Sequence, residues 1–251
     1  MKAKLNDALR SIWGGARVLS KTIPGPVVVF YVLSLCYMNF FALKEFPLGG
    51  TAFLDCSFLL SWIPFLVADI LIKVLDIHAA ASLAIFGAFC NTLFSVLLWF
   101  VSIIPSESNL FRNREIADLL GTHILIIVGS ALALIISTCV KCYIVYKMNK
   151  KESNLMSVKT VYKEACVSSL IGQLVDNTIF AFFVSYLLHK WTFSTIVVSI
   201  LLKTVIELFM ETVCLSLGYI TMTQWKEDGI GEKYLEYINK ERERRKKRDQ
   251  K

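Results

Sequence analysis

The sequence lacks the motifs that enzymes commonly use for chemistry in water. It contains only three histidines, and His78, His123 and His189 are isolated and lie near the ends of apolar segments. No Walker A spacing, zinc-protease motif, serine nucleophile elbow or glycine-rich dinucleotide fingerprint is present. Direct ATP hydrolysis by this chain is therefore excluded, and we expect a protein that is not an enzyme and has no cofactor.

The cysteines lack the spacing of a disulfide framework or a metal site. There are seven, an odd number, and most lie within or at the ends of apolar segments. Cys139 and Cys142 form a single Cys-x-x-Cys pair without a second pair or a neighbouring histidine. We interpret all seven as small apolar side chains and predict no metal site.

Apolar residues, in contrast, are in excess. They make up 55% of the 251 residues, and the mean hydropathy is +0.58, whereas soluble domains are about 45–50% apolar. The excess is concentrated in blocks long enough to cross a bilayer. We predict an all-α membrane protein, a bundle of six transmembrane helices at residues 27–43, 52–75, 79–104, 122–146, 165–188 and 194–223.

Two of these segments have features that affect packing. Pro64 lies near the middle of the second segment, where we expect it to break or kink the helix and free backbone groups. The first half of the third segment is rich in small residues, which suits close helix packing. These residues are Ala79, Ala80, Ala81, Ser82, Ala84, Gly87 and Ala88.

Basic residues divide the chain into three parts and predict its orientation. Residues 1–23 are a basic segment, either a short helix on the membrane surface or a disordered tail. Residues 24–225 hold the six-helix domain, and residues 226–251 are a charged helix or a disordered tail. With both termini in the cytoplasm, 21 Lys and Arg lie inside and four outside. This asymmetry favours cytoplasmic termini and an even number of spans.

The fifth segment carries a stripe of polar residues. At helical spacing Ser169, Gln173, Asp176, Asn177 and Phe180 share one face. A carboxylate at the centre of a membrane helix costs about 2.5–3.5 kcal/mol, so such residues normally face a bundle interior or a cavity. The stripe is either a functional site or a set of interhelical hydrogen bonds, and both interpretations stay open.

Lysines within apolar segments allow two interpretations. Asp69 and Lys73 are spaced i, i+4 in the second segment and could neutralise one another, or Lys73 could extend to the interface. Lys141 lies near one end of the fourth segment, and we favour extension to the interface for this residue.

The third and sixth segments add further polar residues. Asn91 lies near the centre of the third segment. In the sixth segment, Lys203 and Glu207 are spaced i, i+4, and Glu211 follows on nearly the same face. A polar set drawn from several helices is better explained by a cavity in the bundle than by isolated structural contacts.

The order and spacing of these residues resemble the VUT family, the queuosine precursor transporters. The motif Ser…Gln-x-x-Asp-x-x-x-Phe of that family corresponds to Ser168, Gln173, Asp176 and Phe180. Its other elements resemble Asn39 with Lys44, Pro64 with Asp69, Gly87 with Asn91, and Lys203 with Glu207. The resemblance covers about residues 30–225. The chain departs from the family pattern where Lys73, Asp76, Thr138 and Lys141 stand.

The resemblance implies a bacterial plasma-membrane protein that imports a 7-deazaguanine such as preQ0 or preQ1, without ATP hydrolysis by this chain. It implies a small-molecule substrate and a lipid bilayer as partners, with no nucleic acid, and leaves a homo-oligomer open. Carboxylates could accept the N–H groups of a guanine-like edge, and amides could donate to its oxygen. The implied substrate-binding residues are Asp69, Asn91, Gln173, Asp176, Asn177, Lys203 and Glu207.

Two alternatives remain at this point. The chain could be the substrate-binding subunit of an energy-coupling-factor uptake system, with small-residue patches at Ala79–Ala81 and Gly87–Ala88 docking a separate ATPase module. It could also be a membrane scaffold that transports nothing and whose polar residues only join helices.

Overall fold

The computed structural model describes residues 21–49, 52–104, 111–149, 157–188 and 192–249. These residues form seven α-helices and one two-stranded hairpin, so the chain is all-α apart from that hairpin. The helices are α1 (Gly25–Phe41), α2 (Trp62–Val74), α3 (Ile77–Ile103), α4 (Phe111–Asn149), α5 (Val158–Leu188), α6 (Phe193–Glu227) and α7 (Glu232–Asp249). The strands are β1 (Glu45–Gly49) and β2 (Ala52–Asp55), and the 3-10 turn Cys56–Leu59 follows β2.

Five described segments are long and apolar enough to cross a membrane. They are Cys56–Val74, Ile77–Ile103, Ile126–Asn149, Val158–Phe183 and Phe193–Glu227. Helix α1 is also apolar, but its 17 residues extend only about 25 Å at 1.5 Å per residue, less than the roughly 30 Å of a hydrocarbon core. The chain is therefore a multi-pass membrane protein with five candidate spans and one shorter apolar helix, where six full spans were predicted.

The second span does not begin as a helix. Strand β2 pairs with β1, with Glu45 opposite Asp55, and the Asp55 side chain then accepts a hydrogen bond from the Ser57 backbone N–H at 3.1 Å. This bond caps the 3-10 turn, and α2 starts only at Trp62. The predicted span at 52–75 is thus close to the observed one at Cys56–Val74, but it is not one helix that Pro64 breaks or kinks near its middle. Pro64 is the third residue of α2, where the missing N–H leaves no helical bond unmade.

Helix α2 lies at the centre of the bundle. In an 18-residue stretch of the span that contains it, 67% of the residues are buried, against 28% in a stretch of equal length in the span formed by α3. It packs against α1, α3, α4, α5 and α6. The outer helices instead present apolar side chains at their surface, such as Phe89 and Leu97 on α3 and Phe209 and Leu217 on α6. The bundle is thus apolar outside, which leaves its interior for polar groups.

The small residues of α3 are used for packing within the chain. Ala79, Ala80 and Ala88 are buried. A Cβ atom added at Gly87 would lie 2.5 Å from Leu35 Cδ1 and 2.6 Å from a ring carbon of Tyr31. Glycine therefore allows α1 to lie directly on α3, as close helix packing requires.

The C-terminal segment is a helix that turns back onto the bundle. Gly229 and Gly231 have φ angles of 65° and 105° in the connection between α6 and α7, which is the left-handed region that glycine adopts readily. A Cβ at Gly231 would lie 2.3 Å from Leu75 Cδ2, and Tyr234 is buried. Of the two predictions for this tail, the charged helix is confirmed. The N-terminal segment was predicted at residues 1–23 as a surface helix or a disordered tail, and residues 1–20 of it lie outside the described residues.

Candidate functional site

Helix α6 has a charged face that points into the bundle. Lys203, Glu207 and Glu211 are one turn apart and buried, whereas Val205 and Phe209 on the other side are exposed. Side chains from the hairpin region, α2, α4 and α5 surround the three charges. We call this set the polar column, comprising Asp55, Ser57, Ser61, Asp69, Lys141, Ser169, Gln173, Asn177, Lys203, Thr204, Glu207 and Glu211.

The first level of the polar column is centred on Lys203. Its Nζ atom donates to both carboxylate oxygens of Asp55, each at 3.1 Å, and to Ser57 Oγ at 2.7 Å. The same Nζ lies 5.0 Å from the centre of the Phe180 ring, within range of a cation–π interaction. The ion pair ties α6 to the end of strand β2.

The second level is centred on Glu207. One of its oxygens accepts a hydrogen bond from Ser61 at the start of α2. The other accepts from Asn177 Nδ2 on α5 at 2.8 Å, and this amide also donates to Thr204 at 3.1 Å. Lys203 Nζ is 4.0 Å away, so the predicted i, i+4 pair exists, but Asp55 is the nearer partner of this lysine.

The third level is centred on Glu211 and Lys141. Lys141 Nζ lies 3.0 Å from Asp69 and 3.3 Å from Glu211, and it also donates to Ser169. Glu211 accepts further hydrogen bonds from Ser169 at 2.6 Å and from Gln173 Nε2 at 2.7 Å. One lysine is therefore shared by two carboxylates from different helices.

Asp176 lies beside the polar column and is partly exposed. Ser137 on α4 donates to its Oδ1 at 3.0 Å. Asp176 also interacts electrostatically with Lys203 and with Tyr31 of α1. It is a carboxylate close to the first level of the polar column.

A further ion pair joins α2 to α5, near the end of the bundle where α4 ends and α5 begins. Lys73 contacts the carboxylate of Glu164, which is buried. The predictions that Lys73 pairs with Asp69 or extends to the interface are therefore wrong, because Asp69 pairs with Lys141 and Lys73 reaches across to α5. Lys141 does not extend to the interface either, since none of its surface is exposed.

The structure brings most of the predicted site residues together. Asp69, Gln173, Asn177, Lys203 and Glu207 all belong to the polar column. Asp176 adjoins it, as described above. Asn91 is buried on α3, and its hydrogen bonds do not connect it to the column.

Sequence reasoning did not place several members of the polar column in the site. Glu211 could have been included, because it continues the spacing of Lys203 and Glu207. Lys141 lies eight residues before the end of α4 at Asn149, about 12 Å at 1.5 Å per residue, which is too deep for a lysine to reach the interface easily. Helical periodicity could not assign Asp55 to the site, because Asp55 is the last residue of strand β2.

Carboxylates outnumber lysines among the described residues of the bundle interior. The carboxylates are Asp55, Asp69, Glu164, Asp176, Glu207 and Glu211, and the lysines are Lys73, Lys141 and Lys203. Fully ionised, this set would carry three negative charges in excess. Such an excess at membrane depth is costly unless protons or a bound cation compensate it.

Four buried side-chain atoms in the described residues have no hydrogen-bond partner. They are Asp69 Oδ2, Asn91 Oδ1, Gln173 Oε1 and Asn177 Oδ1. All four are acceptors, and three of them belong to the polar column. An unpaired buried polar group costs about 1–3 kcal/mol, so these atoms are suited to a ligand that donates several hydrogen bonds.

Comparison with known proteins identifies the family. No curated protein and no solved structure matches the chain. Residues 55–217 match the family described as "Putative vitamin uptake transporter". The match begins at Asp55 and ends beyond Glu211, so it contains the whole polar column, and it covers well over half of the chain. The chain belongs to the vitamin uptake transporter family, the VUT or queuosine precursor transporter family, as its motifs predicted.

Proposed function

We propose that this protein imports a 7-deazaguanine precursor of queuosine, such as preQ0 or preQ1, across the bacterial plasma membrane. Membership of a transporter family supports a small-molecule substrate and argues against an enzyme. The interior of the bundle supports a path for that substrate, because its polar side chains form a column between helices whose outer surfaces are apolar.

The observation that carries the proposal is the set of unpaired acceptor oxygens. Gln173 and Asn177 are one turn apart on α5, and each uses its amide nitrogen to donate to a glutamate of α6. Their oxygens remain without partners. A 7-deazaguanine offers N–H donors at N1, at the 2-amino group and on the five-membered ring, so one ligand could satisfy several of these acceptors.

The surroundings of these amides fit a flat, polar ring. Glu207 lies beside Asn177 and can accept two N–H groups at once. Phe180 follows one turn later on the same helix and is suited to stacking. Trp99, a second aromatic residue that could stack on such a ring, is exposed near the end of α3. We therefore assign ring stacking to Phe180.

We further propose that both termini are cytoplasmic and that residues 24–225 form the transport domain. Lys147 and Lys159 lie at the end of the bundle where α4 ends and α5 begins. Basic residues at this end favour the cytoplasmic side.

The two alternatives have less support. An energy-coupling-factor subunit would use the small residues of α3 to dock an ATPase module, but Ala79, Ala80 and Ala88 are buried and Gly87 contacts α1. A scaffold would use its polar residues only to join helices. Under that hypothesis the unpaired oxygens of Gln173 and Asn177 would be a cost without a purpose.

Uptake assays test the proposal. Cells that express the chain should take up labelled preQ0 or preQ1. Unlabelled analogues should compete more strongly for this uptake when they present more N–H groups. An analogue without the 2-amino group should compete at least about tenfold less well, because it leaves a buried acceptor unpaired. Equal competition by both compounds, or no uptake of either precursor, would contradict the proposal.

A matched pair of variants separates binding from folding. Gln173→Met removes the amide while keeping the length of the side chain, so we expect weaker precursor binding. Leu174→Met is the control, because this neighbouring side chain points outward and is exposed. Equal affinity of the two purified variants would exclude Gln173 from the substrate site.

A further inference from the structure

The third level of the polar column has more negative charge than its one lysine can balance. Asp69 and Glu211 both contact Lys141 and also interact with each other. Two carboxylates that share one cation in a buried site cannot both stay ionised without a large cost. A single proton shared by the pair would balance the charge of the site.

The hydrogen bonds of the two carboxylates differ. Both oxygens of Glu211 accept hydrogen bonds, from Ser169 and from Gln173, which stabilises its charged form. Asp69 Oδ1 faces Lys141, whereas Asp69 Oδ2 is buried and has no partner. Asp69 Oδ2 is therefore the one carboxylate oxygen of the pair without a hydrogen-bond partner among the described residues.

The same contacts disfavour a sodium ion at this position. A metal cation of this kind needs several oxygen acceptors around it. Here, Ser169, Gln173 and Lys141 direct hydrogen-bond donors at the carboxylates. The ammonium group of Lys141, 3.0 Å from Asp69, would also repel a second cation.

A small pocket borders Asp69. Its lining includes Asp69, Lys73 and Glu164, together with apolar residues of α2, α4 and α5. It lies where α4 ends and α5 begins, the end that we assign to the cytoplasm. The charged and titratable groups around Asp69 are thus Lys141 and Cys142 on α4, Glu164 on α5, Glu211 on α6 and Lys73 on α2.

We propose that the Asp69–Glu211 pair binds one proton and couples substrate import to the inward movement of that proton. This inference rests on the proposed transport function. In the coupled cycle, the pair accepts one proton that originates outside, so that one of its two carboxylates becomes a neutral carboxylic acid. The pair then releases that proton towards the end of the bundle where Lys73 and Glu164 lie, and both groups are carboxylates again.

The test uses the full-length protein in sealed liposomes, with the membrane potential clamped to zero. The substrate is preQ0, because it carries no charge of its own. With the lumen about one pH unit more alkaline than the outside, one proton per molecule should drive about tenfold accumulation. Adding preQ0 outside should also acidify the lumen, as a trapped pH-sensitive dye would report. Both measurements are made on the wild-type protein.

Asp69→Asn mimics a carboxyl group that never releases its proton. We expect this variant to continue exchanging preQ0 between the two sides, at a reduced rate, but to lose accumulation driven by the pH difference. Asp69→Glu restores a titratable carboxyl and should regain part of the accumulation driven by the pH difference. Asp76→Asn is the control, since Asp76 caps α3 through the Ile77 backbone N–H and asparagine caps equally well.

The outcomes separate the two proposals. Exchange of preQ0 without pH-driven accumulation or acidification in the wild type overturns the coupling alone. Accumulation driven by a sodium gradient overturns it too, as does full accumulation by Asp69→Asn. A wild type that neither exchanges nor accumulates any 7-deazaguanine overturns both the transport function and the coupling that rests on it.

Discussion

Replacing Lys141 with methionine should destabilise the protein strongly. The lysine has no exposed surface, and its Nζ lies 3.0 Å from Asp69 and 3.3 Å from Glu211. Methionine fills a similar volume but leaves two buried carboxylates without a cation. Removing one partner of a buried ion pair costs about 3–5 kcal/mol. In a protein of this size about 1 kcal/mol changes Tm by about 2–4 °C, so Tm should fall by roughly 6–20 °C.

Thermal unfolding of the purified variants, followed by tryptophan fluorescence, measures this effect. Lys147→Met is the matched control, because Lys147 is exposed on the same helix and the change should cost no more than about 0.5 kcal/mol. Adding Glu211→Gln to Lys141→Met should recover part of the loss, since it removes one of the stranded charges. If Lys141→Met unfolds at the same temperature as Lys147→Met, the buried network described here is wrong.

Three further predictions concern the site, the packing and the orientation. Glu207→Gln should reduce uptake by about tenfold or more, equivalent to about 1.4 kcal/mol of binding, with little change in Tm; the opposite pattern would mean that Glu207 only joins helices. Gly87→Ala should destabilise the fold by about 1–3 kcal/mol through overpacking and so lower Tm. Gly25→Ala should not, because an added Cβ there meets nothing within 4 Å. Reporter fusions at residue 153 and at the C-terminus should be cytoplasmic and one at residue 107 extracellular, and an extracellular C-terminus would refute this topology.

The sequence predicted the long helices and the inward faces of α5 and α6. Both faces are periodic, and an amphipathic pattern within an apolar segment fixes which side is buried. Gln173, Asn177, Lys203 and Glu207 could therefore be assigned to the bundle interior before their neighbours were known. The charge of α6 was also sufficient to predict a polar interior.

The partners of the charged residues could not be predicted in the same way. Spacing along one helix shows only local pairs, so it predicted an ion pair between Lys73 and Asp69. The observed partner of Lys73 is Glu164, which comes 91 residues later in the chain. The start of α2 was missed for a different reason. Residues 52–59 are largely apolar, and hydropathy does not distinguish a strand or 3-10 turn from a helix. Pairing of β2 with β1 decides that local structure.

The charged face of α6 has a consequence for biogenesis. At about 2.5–3.5 kcal/mol for each charged residue at a helix centre, Lys203, Glu207 and Glu211 would make this segment costly to insert into lipid by itself. Apart from the Lys203–Glu207 pair within α6 itself, their partners belong to earlier parts of the chain, namely Asp55, Ser57, Ser61, Lys141, Ser169, Gln173 and Asn177. When the ribosome completes α6, these partners have already been synthesised. The order of synthesis thus allows α6 to insert after the oppositely charged residues that contact it have been made.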